Sequence, residues 1–310
     1  MAKLTRKRAL LAKIESSYGV DPTPTGSANA ILCKNLDAVP LAANTVSRDL
    51  IRAYLGEYDQ LVADKHVELT FDVEMAGAGA AGDVPLYGPL LRACGMSETV
   101  DAGVDVTYAP VSSGFESVTI YYNVDGILHK ATGCRGTVQL EIVSGQIPVY
   151  KFKFVGIYNA PTDTALPTCD YSDFVAPLVA NNGNTGSFSF FGVSSLVLQS
   201  LTLDVNNVVD FRALIGAEYT QLTDRRSNGE LNFEAPTLAT FNAFTTALGT
   251  AKGAMTITHG TTAGNQVIIA APAVDVANPS YSDDNGVAMI KCPVAYIPDA
   301  GNDEFTITVL

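Results

Sequence analysis

The chain has 310 residues, 47% hydrophobic and 16% charged, with 32 acidic against 19 basic side chains and a formal charge of −13. That apolar content excludes a disordered tether, and a prior of roughly 150 residues per domain suggests two domains. So acidic a chain lacks the cations needed to grip nucleic acid by its phosphates, although it can face nucleic acid without holding it.

Residues 1–30 read as a basic N-terminal arm. The stretch KLTRKRALLAK at 3–13 starts like an export signal, but Lys13 and Glu15 interrupt its apolar part after Ala12, so export is not expected. A short helix is expected over residues 6–17. The stretch DPTPTG at 21–26 is expected to be extended, since each proline fixes its own φ and drives its predecessor out of the helical region. The arm reads either as a frayed terminus or as an extension that docks on a neighbouring copy.

Residues 31–158 read as a first β-rich domain. In 66–75, Val67, Leu69, Phe71, Val73 and Met75 alternate with His66, Glu68, Thr70, Asp72 and Glu74. This is a half-buried strand with an acidic open face. Residues 46–55 are expected to pair with it, leaving 56–64 as a protruding hairpin loop. A short helix follows over 85–93, capped by Gly95. A hairpin turns at Asp125-Gly126, and strands follow over 137–142 and 150–155, the latter with Lys151 and Lys153 outward.

Residues 159–187, with Pro161, Pro167, Pro177 and NNGN at 181–184, have linker composition. Residues 188–310 read as a second domain with one helix near Phe241, Phe244 and Leu248. Strands are expected over 254–258, 267–270, 274–276, 287–295 and 304–309, with a turn at DDNG, 283–286.

The two domains echo one another. RAYLGEYDQLVADKHVELTFDVE at 52–74 returns as RALIGAEYTQLTDRRSNGELNFE at 212–234. Matched letters, preserved order and preserved apolar phase point to an internal duplication.

No stretch supplies catalytic or cofactor chemistry. GAGAAG at 77–82 fits G-x-G-x-x-G, but Pro85, Gly88 and Pro89 spoil the helix that a dinucleotide site requires, so a flexible connection is expected. His66, His129 and His259 are dispersed and read as surface imidazoles. Residues 283–286 lack the alternating ligands of a calcium loop. The cysteines at 33, 94, 134, 169 and 292 form no C-x-x-C pair and read as structural thiols in a reducing compartment. No enzyme, cofactor, metal site or membrane insertion is expected. Glu68, Asp72 and Glu74, echoed by Glu230 and Glu234, form either an ordinary solvated sheet face or the lining of a passage for something negatively charged.

Several segments together resemble the tail tube (major tail) proteins of phages with long non-contractile tails. They are YGVDPTPTGSANAIL at 18–32, RDLIRAYLGEYDQLVADKHVELTFDVEMAG at 48–77, GPLLRACGMSE at 88–98, TYAPVSSGFESVTIYYNVDG at 107–126, GIYNAPTDTALPTCDYSDF at 156–174, FEAPTLATF at 233–241, and the stretch SYSDDNGVAMIKCPVAYIPDAGNDEFTITV at 280–309. The resemblance implies an all-β fold with short helices: two tandem tail-tube-like β-sandwich or barrel units whose strands join neighbours into a continuous inner β-barrel. It implies stacked rings around a lumen for genome delivery, each ring a trimer with pseudo-six-fold symmetry or, alternatively, a hexamer. The implied partners are the chain itself, a tape-measure protein, tail terminator and tail-tip proteins, and transiting DNA that is not bound tightly. The implied location is the virion tail, assembled in the host cytoplasm.

By that correspondence Glu68, Asp72, Glu74, Glu230 and Glu234 face the lumen. Ring-to-ring contacts fall to Arg52, Tyr54, Glu57, Tyr58, Asp64 and Lys65, and to Arg212, Glu218, Tyr219, Asp224 and Arg225. The competing reading is a monomeric β-sandwich that binds carbohydrate or a cell surface. It calls for exposed aromatics in a groove, whereas Trp is absent. A hydrolase on a β scaffold has no constellation to support it.

Overall fold

Strands dominate because apolar and polar residues alternate along most of the chain, the pattern that buries one side of a pleated strand. A computed structural model describes residues 2–310. The first half contains β1 (Arg8–Ile14), the one-turn helix α1 (Gly26–Asn29), β2 (Ala30–Ile31), β3 (Lys34–Ser47) and β4 (Gln60–Glu74). Helix α2 (Gly88–Ala93) and the hairpin β5 (Met96–Asp101) and β6 (Asp105–Pro110) come next. They are followed by β7 (Val118–Val124), β8 (Ile127–Val143), β9 (Val149–Tyr158) and β10 (Thr162–Asp163). The second half begins with β11 (Ser187–Phe190), β12 (Leu198–Asp204), β13 (Asn207–Leu214), β14 (Ala217–Arg225) and β15 (Asn228–Glu234). It ends with α3 (Ala243–Leu248), β16 (Gly253–His259), β17 (Val267–Val276), β18 (Ser280–Asp284), β19 (Val287–Tyr296) and β20 (Thr306–Val309).

Two layers enclose the core. One is a continuous antiparallel run in the order β3-β4-β9-β8-β12-β15-β19-β18, crossing from the first half to the second at β8 and β12. The other contains β2-β1-β7 packed over the first half and β5-β6-β20-β17-β16-β11 over the second. Strand β8 serves both layers: Ile127 to Cys134 pair with β7, and from Ala131 to Glu141 the strand pairs with β9, with a register shift between Thr132 and Arg135. Between the layers, Phe71, Phe152 and Phe154 stack with ring centroids 5.6–5.9 Å apart. Burying each such ring contributes about 1.5–3 kcal/mol.

The same pairings occur in both halves. β3 with β4 is matched by β12 with β15 and, beyond a break, by β13 with β14. β4 with β9 is matched by β15 with β19, and β1 with β7 by β11 with β16. β8 with β9 is matched by β17 and β18 with β19. Tyr158 opposite Ala131 even has its counterpart in Tyr296 opposite Val274. The β5–β6 hairpin has no counterpart and instead pairs with the second half's last strand.

The structure departs from several sequence expectations. Residues 8–14 form no helix: β1 zips along β7 with Ala9, Leu10, Leu11 and Ala12 buried. A short apolar run does not distinguish helix from strand by itself, and an unfilled sheet edge settled it. The partner of the acidic strand is β3, ending at Ser47, so the hairpin loop is residues 48–59 rather than 56–64. The glycine stretch at 77–82 is not a loose connection. Gly79 N–H donates to the Gly264 carbonyl at 2.8 Å, and a Cβ on Gly77 would lie 2.2 Å from that oxygen. His259 is buried, its Nδ1 2.9 Å from Thr185 Oγ1, because β16 turns it inward. The linker reading of 159–187 is not among these departures; within that segment β10 pairs with β8, Asp170 N–H donates to the Gly26 carbonyl, and Ala180 is buried.

Candidate functional site

The eight-strand layer presents an open face on the side away from the core. On β4, Val67, Leu69, Phe71 and Val73 are buried while Glu68, Thr70, Asp72 and Glu74 point outward. On β15, Leu231 and Phe233 are buried while Glu230, Asn232 and Glu234 point outward. The strict period of two decides this, since one residue of slip would send every carboxylate into the core.

The sheet also places lysines between the two acidic rows, on β9, and just outside them, on β3 and β19. Lys151 of β9 lies opposite Asp72 and pairs with Glu141 at 2.6 Å, and Lys153 lies opposite Thr70. Lys34 approaches Glu74 at 3.8 Å, and Lys291 lies opposite Asn232. Such exposed pairs contribute about 0–1 kcal/mol each, so they set the charge pattern rather than the stability. With Asp37, Glu141, Asp204 and Asp284 added on β3, β8, β12 and β18, carboxylates still outnumber lysines on this face. Burial pushes the Asp204 carboxyl up, opposed by its hydrogen bond from Asn206 N–H. The outward Lys-x-Lys of β9 was legible in the sequence; its position between the acidic rows was not.

The distal hairpins differ between the halves. Past Leu41, β3 and the start of β4 are largely exposed, and the loop 48–59 is held mainly by its own contacts. The Arg52 guanidinium lies over Tyr54 at 4.7 Å and Tyr58 at 4.0 Å, and donates to the Glu57 carbonyl at 2.9 Å. Arg48 pairs with Asp59 at 3.3 Å. Ile51 and Leu55 are fully exposed (104% and 102%). Asp64 accepts from Asn44 Nδ2 at 3.1 Å, and Lys65 Nζ is 5.8 Å from the Tyr158 ring. So Arg52, Tyr54, Glu57 and Tyr58 are brought together, while Asp64 and Lys65 sit farther down the hairpin.

The β13–β14 hairpin closes tightly at Ile215-Gly216 and folds back over the first half. Thr220 N–H donates to Tyr18 Oη at 2.6 Å, Arg135 donates to the Thr220 carbonyl at 2.9 Å, and Phe211 stacks on His66 at 5.0 Å. Asn207 Nδ2 donates to the carbonyls of Cys94 and Gly136 at 2.6 and 3.0 Å, and Leu222 is buried. Arg212 pairs in register with Tyr219, and Ala213 with Glu218, near the tip. Asp224 pairs with Arg226 at 2.9 Å. Arg225 is turned inward, bonded to Glu304 and to the Val111 carbonyl, so its charge is engaged within the chain rather than presented at the surface.

Among the described residues no three His, Cys, Asp or Glu side chains are grouped to hold a metal. Burial pushes the thiols of Cys33 and Cys292 up to about 12, which removes the thiolate that nucleophilic attack requires. Among the described residues no helix is long and apolar enough to cross a membrane.

A comparison with curated proteins finds no match. A family model described as phage tail tube protein matches residues 5–298, spanning both halves and their junction. The match covers nearly the whole chain, and the β-rich two-layer fold accords with it: the chain belongs to the phage tail tube protein family.

Proposed function

We propose that the chain is the repeating subunit of a ring with a central channel, and that rings stack into the tube through which a phage genome is delivered. The observation that carries this reading is the β8–β12 junction, where the first half's sheet is continued by the second half through five antiparallel pairs from Ser200↔Val143 to Asp204↔Gln139. A layer that already joins two equivalent units edge to edge, and still has unpaired strands at both ends, is suited to continue into further copies. Closing the sheet on itself removes the exposed edges, which otherwise recruit other chains indiscriminately.

The matching pairings of the halves support an internal duplication into two tube units, with boundaries near 31–158 and 188–310. Three copies then supply six units, giving a trimeric ring of pseudo-six-fold symmetry. The open face lines the channel, with Glu68, Asp72, Glu74, Glu230 and Glu234 repelling phosphates while the lysines between them moderate the field. DNA passes without being held, and a tape-measure protein occupies the same channel before it. Loop 48–59 and the turn at Ile215 make ring-to-ring contacts, with Arg225 positioning its hairpin from within. Terminator and tail-tip proteins close the two ends in the virion tail, and assembly takes place in the host cytoplasm.

Negative-stain electron microscopy of purified protein over a range of concentrations tests the reading. Rings or tubes with an axial hole are expected. A species that stays monomeric at every concentration, with light scattering to match, would support an isolated β-sandwich instead.

A further inference from the structure

The two ends of the eight-strand layer can be matched residue by residue to the junction already inside it. Among the described residues β3 pairs only with β4, and β18 only with β19. In the internal junction β12 plays the part of β3 and the second half of β8 plays the part of β18. The pairings fix the correspondence. Leu231 opposite Leu201 matches Leu69 opposite Ala38, and Glu230 opposite Thr202 matches Glu68 opposite Val39, so β12 maps onto β3. Counting on along the strand puts Asp204 at Leu41, where β3 shifts register against β4 between Val39 and Ala42. Val138 opposite Phe152 matches Tyr281 opposite Ile290, so Gln139 maps onto Ser282.

A second equivalence lies beside the first. Continuing along β13, Asn207 corresponds to Asn44, and the pair Val209↔Leu222 corresponds to Val46↔Leu61. Leu222 is buried beside Gly95 at the end of α2, where a Cβ on that glycine would meet Leu222 Cδ1 at 3.0 Å. At the matching place in the second half, by the end of α3, there is an open groove of about 620 Å³ lined by Leu248, Thr250, Lys252, Ala277 and Pro279. Its rim residue Leu248 is 90% exposed, and Val46 and Leu61 are each about half exposed with no cover of their own.

We propose that the contact between copies repeats this internal junction: β18 of one copy pairs antiparallel with β3 of the next, Ser282 opposite Leu41 and Asp284 opposite Val39. In the same contact the partner copy's β3–β4 hairpin lays its Leu61 into the groove beside α3. The facing pattern agrees with the register. By register Ser282 lies opposite Met289 and Asp284 opposite Val287, and on β3 Asp37, Val39 and Leu41 are exposed while Leu36, Ala38 and Pro40 between them are less so. The groove and the β18 edge are continuous, as the Tyr281 ring of β18 packs at a tilt against Phe244 of α3, centroids 5.1 Å apart. Directly opposed side chains in such a ladder are roughly 4.5–5.5 Å apart at Cβ, close to what a disulfide spans.

This inference rests on the ring-forming reading, and the test separates the two. Ser282→Cys with Leu41→Cys in one chain, oxidised after assembly, is expected to give covalent oligomers up to the ring size. Ser282→Cys with Val39→Cys, two residues out of register, is expected to link at least tenfold more slowly, and the unmodified chain to stay unlinked. Leu61→Asp, on a side chain exposed in the monomer, is expected to abolish rings while leaving the monomer's melting temperature unchanged. Rings that form normally but link through neither pair, or preferentially through the Val39 pair, would overturn the seam and leave the ring reading standing. Failure of the unmodified chain to form rings at all would overturn both.

Discussion

The Arg225 guanidinium meets the Glu304 carboxylate at 2.7 Å in a nearly solvent-free position, with side-chain exposures of 12% and 11%. The same arginine donates to the Val111 carbonyl at 2.8 Å. One side chain thus ties the β14 hairpin to the approach to β20 and to the loop after β6, which belongs to the first half. Replacing it by alanine strands a buried carboxylate whose other oxygen already lacks a partner. Arg225→Ala is expected to cost about 3–5 kcal/mol, read as a lower urea midpoint. Glu304→Gln, which leaves no buried anion behind, is expected to cost clearly less.

Glu15 anchors the N-terminal segment. Its buried carboxylate accepts from Ser117 Oγ at 2.6 Å, Thr119 Oγ1 at 2.5 Å, Gly133 N–H at 2.7 Å and Gly19 N–H at 2.6 Å. Hydrogen bonds to a charged group contribute about 1.5–3 kcal/mol each, and orphaned buried donors are costly. Glu15→Ala is expected to destabilise by about 3 kcal/mol in chemical denaturation. A change within 0.5 kcal/mol would show that water replaces the carboxylate without loss.

His259 predicts a pH dependence. Burial holds its imidazole below the ordinary value, so the unfolded chain takes up a proton before the native chain does. The resulting stability is fully present above the unfolded value of about 6.5 and is lost as pH falls below it. Between pH 7.5 and 5.5 the melting temperature of the unmodified chain should fall more than that of His259→Gln. Parallel curves would count against the imidazole as the source.

The open face predicts a charge effect on DNA passage. Tubes carrying Glu68→Lys with Glu230→Lys should retain duplex DNA at low salt and release it as salt rises, whereas unmodified tubes should retain none. Cosedimentation with labelled DNA gives the readout. Equal retention by both would place this face outside the channel.

Much of the fold can be read from neighbouring residues. The alternation through β4 told which side chains face the core, and the structure has Leu69 and Phe71 inside with Glu68 and Asp72 outside. Asp125-Gly126 and Asn285-Gly286 announced hairpin turns, and all four residues take positive φ. The echo between 52–74 and 212–234 carried the comparison of the halves, and the all-β class and tube-family likeness were also legible. These properties are local, because a period of two and a turn's φ values are set within a few residues.

Which strand lies beside which is a different kind of property. The sequence did not disclose that β1 fills an edge of β7, that Lys151 and Lys153 lie between two acidic rows, that Arg225 points inward or that β12 continues β8. Each depends on partners many residues away, brought together by burial of the whole core rather than by any nearby pattern. Sequence alone therefore determined the facing of individual strands and the kind of protein they build. Tertiary packing decided their neighbours, and with them the free edges of the sheet, because edge pairing is settled only when distant strands compete for the same hydrogen bonds.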